Sequence, residues 1–199
     1  MLDGRFACYE ARLVVIRMLS SCALVACQSQ ASPPVAVAPS IEVRDGQGGL
    51  IGELRASHPC RTRIGPIEMQ VGGPPLVSQL GSTRLTGSAV ANHGTALASD
   101  GQVLVRVVPS ADAQAIDVLD PSNAPLLHVE SDGTGATVRS AARDVLHRIA
   151  LRGDELVFDG GAQTVRGTHD AVLAALLVTP ELLPEVRMLV ACDRAWGGK

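Results

Sequence analysis

The most regular signal along the chain is a 14-residue alternation of apolar and polar positions around a turn-forming centre. Residues 41–54 read IEVRDGQGGLIGEL, 67–80 read IEMQVGGPPLVSQL and 116–129 read IDVLDPSNAPLLHV. Residues 136–149 (ATVRSAARDVLHRI) and 155–168 (ELVFDGGAQTVRGT) follow the same plan, and 95–108 (TALASDGQVLVRVV) is a looser copy. In each, alternate apolar side chains such as Ile41 and Val43, Ile67 and Met69, or Ile116 and Val118 lead into a centre of Gly, Pro, Asp, Ser and Asn, and an apolar arm returns. A period of two puts those side chains on one face of a strand, and the centre supplies turn conformations, so each copy predicts a β-hairpin. Six hairpins amount to about twelve short antiparallel strands. The segment 138–151 also carries a helical spacing in Val138, Ala142, Val145 and Ile149. Its alignment with the other copies favours strand.

The pattern changes after Thr168. Ala171–Val178 reads AVLAALLV and suits a short helix or a last strand, with Asp170 placed to cap it. Thr179-Pro180-Glu181 has the form of a helix start, which predicts a helix over about 180–196. Pro184 is then awkward unless the helix effectively begins there. Leu182, Leu183, Val186, Leu189, Val190 and Ala191 leave this helix little polar surface, so it seeks burial on all sides. The fold class expected for 41–199 is mainly β: a barrel of hairpin repeats with a hydrophobic C-terminal helix packed inside or against it.

Upstream of the repeats the chain has a different character. Residues 13–27 read LVVIRMLSSCALVAC, with Arg17 before an apolar run from Met18 to Ala26. The run is too short for a membrane span of about 20 residues. It ends in Leu24-Val25-Ala26-Cys27, which resembles the lipobox of bacterial lipoproteins. The resemblance implies that 1–26 is a removed signal sequence and that the Cys27 thiol is acylated. Gln28 to Ser40 (QSQASPPVAVAPS) is an uncharged Pro/Ser/Ala linker, suited to hold a domain off a membrane. Asp3 and Glu10 are out of place in a signal sequence and point to a translation start near Val14 or Val15. The residue after Cys27 is Gln28 rather than the Asp that favours inner-membrane retention. By that resemblance the location is the outer membrane, facing the periplasm.

Composition narrows the choices further. Aromatic residues make up 2% of the chain, and Lys199 is the only lysine among 17 basic residues. No basic cluster follows a phosphate backbone, so nucleic acid is not an expected partner. Once Cys27 is acylated and 1–26 removed, Cys60 and Cys192 remain. They either form one disulfide or lie separately buried. There is no C-x-x-C pair, no G-x-S-x-G elbow and no Gly-rich strand-to-helix loop, so neither a cofactor nor a metal is expected. The five histidines stand singly, and only His128 and His147, in adjacent repeats, have a chance of facing one another.

Barrel repeats followed by a hydrophobic helix resemble the tubby C-terminal/LURP-one/phospholipid-scramblase-like superfamily. The shared grammar is carried by Val43/Asp45, Val118/Asp120 and Val157/Asp159 over about 41–196. The resemblance implies a barrel around a helix and loose membrane association. It carries over no site: the basic phosphoinositide patch has no counterpart here, and Asp117, Asp120 and Asn123 have the character of turn residues rather than a calcium stretch. Three functions follow. The first is a non-enzymatic, membrane-anchored module with a protein or lipid partner in the envelope. The second is an exported hydrolase whose site assembles only in three dimensions. The third is a lipid-binding barrel. A filled interior disfavours the third, and a cleft of converging His, Asp and Ser favours the second.

Overall fold

The computed structural model describes residues 40–73, 75–90 and 94–197. Cys27, the expected signal sequence 1–26 and the expected linker up to residue 39 lie outside the described residues, as does Lys199. The described chain forms β1 (Ser40–Asp45), β2 (Leu50–Arg55), β3 (Cys60–Ile64), β4 (Ile67–Gly72), β5 (Leu76–Leu80), β6 (Thr83–Val90) and β7 (Gly94–Ser99). It continues through β8 (Gln102–Pro109), β9 (Ala115–Leu119), β10 (Pro125–Ser131), β11 (Gly135–Ser140), β12 (Val145–Arg152), β13 (Glu155–Phe158) and β14 (Gln163–Arg166). Helices α1 (Ala171–Val178) and α2 (Pro184–Gly197) follow. Each strand pairs antiparallel with its sequence neighbours, and β14 closes on β1 from Glu42↔Arg166 to Asp45↔Gln163.

All six expected hairpins are present, including β11–β12 where a helical spacing competed. Among the described residues the strand count is fourteen rather than about twelve. The two extra strands are β3 and β6, and both hide their inward face from a hydrophobicity reading. The inward positions of β3 are Cys60 and Thr62, between Arg61 and Arg63. Those of β6 include Leu85 and Gly87. Gly87 is small for a reason: a Cβ there would come within 2.6 Å of Leu76 Cδ1.

The aspartates shared by the repeats earn their positions at the turns. Asp45 Oδ1 accepts from the backbone N–H of Gln47 and Gly49, at 2.9 and 2.7 Å. Asp120 Oδ1 accepts from Ser122 and Ala124 in the same way, both at 2.8 Å. A side chain that satisfies turn amides replaces ladder bonds the turn cannot make. Asn123, with φ of 70°, occupies the left-handed position of that turn, and Asp117 lies on β9, 2.7 Å from His128 Nδ1.

Apolar side chains point into the barrel, and outward positions of β1 to β4 carry Glu42, Arg44, Glu53, Arg55, Arg61, Arg63 and Glu68. That is the inverse of a lipid-embedded barrel, whose outer band is apolar. No described helix is long and apolar enough to cross a membrane. The interior is filled by the helices. All eight residues of α1 are buried, and α1 packs on β10 to β13. In α2, Val186, Met188, Leu189, Val190, Ala191 and Cys192 are buried, and this helix packs on β3, β4 and α1.

The expected helix start at Thr179-Pro180 is corrected. Thr179 instead ends α1: its N–H and Oγ1 both return to Ala175 O, at 3.0 and 2.7 Å. Helix α2 begins at Pro184, so it spans Pro184–Gly197 rather than about 180–196. Proline lacks an N–H and has a fixed φ, which suits the first helical position and no later one. Ala171–Val178 is the helix of its two alternatives, and Asp170 caps it through Leu173 N–H at 2.9 Å.

Cys60 and Cys192 are joined by a disulfide that ties the start of β3 to α2. Both residues are completely buried.

Candidate functional site

The topology creates two rims. One holds the β1–β2, β3–β4, β9–β10, β11–β12 and β13–β14 turns together with the α1–α2 connection, 179–183. The opposite rim holds the start of β1, the disulfide and the last turn of α2.

At the opposite rim the helices are fastened to the wall by specific bonds. Arg194 makes a two-pronged contact to Asp170, at 2.7 and 2.9 Å, and donates to Ala113 O at 3.1 Å. Asp170 thus caps α1 and anchors α2 at once. Thr95 Oγ1 donates to Asp193 Oδ2 at 2.8 Å. Trp196 donates from Nε1 to Ser57 O at 3.1 Å and stacks on His58 with ring centroids 4.7 Å apart. Gly73 makes room for that indole, since a Cβ there would sit 2.2 Å from the ring. These contacts fix the helices to the wall.

The connection rim is chemically richer. His147, at the start of β12, has Nδ1 2.6 Å from Asp159 Oδ2 and Nε2 2.8 Å from Glu181 Oε1. Carboxylates only accept, so the imidazolium form of the ring, donating from both nitrogens, satisfies both contacts. Burial alone lowers the His147 pKa, but the hydrogen bonds and charges of Asp159 and Glu181 outweigh it and hold the pKa above its ordinary value. Phe158 lies against the ring, with centroids 4.8 Å apart. Asp159 Oδ1 also accepts from Arg148 N–H at 3.0 Å. The cluster therefore clamps the helix connection to the β12–β13 side of the barrel. A histidine with both nitrogens engaged by carboxylates has no nitrogen left to take a proton from a nucleophile, so this cluster is not arranged as a general base.

The same rim contains a crevice of about 240 Å³ between the β1–β3 wall and the helices, reached by Gln163 and Arg187. Arg187 Nη1 donates to Leu177 O at 3.3 Å, while Nε is buried without a partner among the described residues. Burial pulls the Arg187 pKa down, with Glu185 and Glu181 opposing the shift through their charge. Here a half-buried cation, its Nε sealed from solvent, borders an apolar space. Among the described residues, five of the seven exposed large apolar side chains also lie at this rim: Leu50, Leu126, Val145, Leu146 and Leu183.

His128 and His147 do not face one another. They stand on β10 and β12 with β11 between, and His128 engages Asp117 and, at 3.4 Å, Glu130. Among the described residues no group of His, Cys, Asp and Glu is placed to hold a metal. Sequence reasoning missed Arg187 and the roles of Asp159 and Glu181. Glu181 had been absorbed into a helix start, and nothing in the local pattern sets Arg187 apart from other arginines.

Comparison with protein-family models, with curated proteins and with solved structures finds no match to this chain.

Proposed function

We propose that the chain is an exported lipoprotein, acylated at Cys27, whose barrel is a non-enzymatic binding module in the cell envelope. The Cys60–Cys192 disulfide carries the export half of this reading, because such bonds form and persist in oxidising compartments. The lipobox and the uncharged linker that precede β1 agree with it. By the same resemblance the anchor lies in the outer membrane, facing the periplasm.

The binding half rests on where apolar surface is left. The helices occupy the interior, which argues against a lipid carried inside the barrel and leaves recognition to the outside. Exposed apolar side chains on this rim, with Val145 and Leu146 adjacent on β12, support a recognition surface there. The partner is then a protein or lipid component of the envelope. The layout of a closed barrel around C-terminal helices is also consistent with kinship to the tubby-like superfamily, although this barrel has fourteen strands and two helices.

The test is made on the full chain in a diderm bacterial host fed an alkyne fatty acid. The expected result is label on the mature protein, loss of label and membrane fractionation in Cys27→Ala, and a mature N-terminal mass beginning at an acylated Cys27. An N-terminus that still begins at Met1, or a secreted chain without acyl groups, overturns the anchor.

A further inference from the structure

Arg187 occupies the first turn of α2, the end of a helix where its dipole disfavours positive charge. Part of its placement has a structural reason, since Nη1 reaches the last turn of α1 at Leu177 O. That contact uses one of five donors. Nε stays buried and unpartnered, and the nearest acids are otherwise occupied or more distant: Glu181 is bound to His147, and Glu185 acts only through its charge. An arginine remains cationic in proteins, and this one is offset only by the charges of Glu185 and Glu181, with no carboxylate bonded to it among the described residues.

The walls beside that charge are apolar, formed by Val43, Ile51, Ile64 and Leu177, with the Gln163 amide as the other polar group. Gly52 lines the same space and is closely packed by its strand neighbours. A Cβ at that position would meet both Arg63 O and Val43 Cβ at 3.2 Å. The volume of about 240 Å³ equals roughly eight waters at about 30 Å³ each. A single planar cation above a short apolar slot matches one planar monoanion with an aliphatic tail, because a guanidinium pairs with a carboxylate through parallel N–H donors. A phosphate would bring more charge than one arginine offsets and no apolar surface to fill the slot.

We infer that this crevice binds a small carboxylate with a short aliphatic tail, the carboxylate on Arg187 and the tail between Val43, Ile51 and Ile64. The ligand chemistry is that of a free short-chain acid or of a peptide ending in a free aliphatic residue. The inference is independent of the lipid anchor and stands or falls without it.

The test uses the full chain purified in a non-ionic detergent, with saturation-transfer NMR and titration calorimetry. Hexanoate and acetyl-Ala-Leu serve as the two carboxylate sources, with 1-hexanol and acetyl-Ala-Leu-amide as uncharged controls. At least one carboxylate is expected to bind with a dissociation constant on the order of a millimolar or tighter, given so few atoms. Its uncharged control is expected to bind at least about 10-fold more weakly, and Arg187→Gln to lose a similar factor. Ile51→Phe fills the slot while sparing the cation, and is expected to abolish binding. It keeps the test decisive if Arg187→Gln does not fold. No saturable binding of either carboxylate, or binding unaffected by Ile51→Phe, overturns the site and leaves Arg187 as a cap for α1 only.

Discussion

Glu181 Oε1 lies 2.8 Å from His147 Nε2, so the connection between the two interior helices is held to the barrel wall by a charged hydrogen bond. Besides this bond, the 179–183 segment is held by its flanking helices and by Leu182, which is buried in the core. The clamp is the one described ion cluster that joins the connection to a strand.

The clamp makes stability depend on pH in a defined direction. The folded-state pKa of His147 is raised, so its contribution is fully present below the unfolded value of about 6.5 and is lost as pH rises through the folded value. Urea midpoints of the native protein and of His147→Gln, measured from about pH 5.5 to pH 9, are expected to converge as pH rises. A gap that widens with pH contradicts the clamp.

The disulfide closes a loop of 132 residues in sequence. Chain-entropy arguments put the stabilisation from a loop of that order at about 4 to 5 kcal/mol. The double variant Cys60→Ala/Cys192→Ala is expected to lose much of that in denaturant unfolding. The single variants should resemble the double one, because each leaves the other thiol in the same apolar site. A loss below about 1 kcal/mol shows that the barrel does not depend on the bond.

Thr62 points inward from β3 at 2% exposure, and its hydroxyl finds no partner among the described residues. Leaving a buried hydroxyl unsatisfied costs about 1 to 3 kcal/mol. Thr62→Val keeps the shape and removes the hydroxyl, so it is expected to stabilise by roughly 1 kcal/mol. Thermal unfolding decides the sign, and a lower Tm reveals a bond the hydroxyl makes.

Asp170 serves two helices, so its removal should exceed the loss of a simple cap. Asp170→Ala forfeits an N-cap worth about 1 kcal/mol and strands Arg194, whose side chain is 15% exposed. An expected destabilisation of about 2 to 3 kcal/mol follows for a charge-assisted pair and cap together. Combining Asp170→Ala with Arg194→Ala should cost less than the two single losses added, since they remove one shared contact.

Much of this architecture is set by local pattern. Alternating Ile41 and Val43 around Asp45, or Ile116 and Val118 around Asp120, can bury one face only as strands and can reverse only at those turns. The nearly unbroken apolar run from Ala171 to Val178 can be satisfied only by burial on every side, and the barrel interior provides it. Such features depend on near neighbours, so they are written in the order of residues. Strand β3 was not legible, because Thr62 counts as polar until the wall around it is known. Helix α2 was misplaced at its start, because Thr179 and Pro180 look the same whether they begin one helix or end another. The meeting of His147 with Glu181, 34 positions apart, was decided by the tertiary structure alone, as was the isolation of Arg187 beside an apolar slot. Closure of β14 on β1 and the return of the helices through the barrel bring those groups together, and no period in the sequence encodes a distance between residues so far apart.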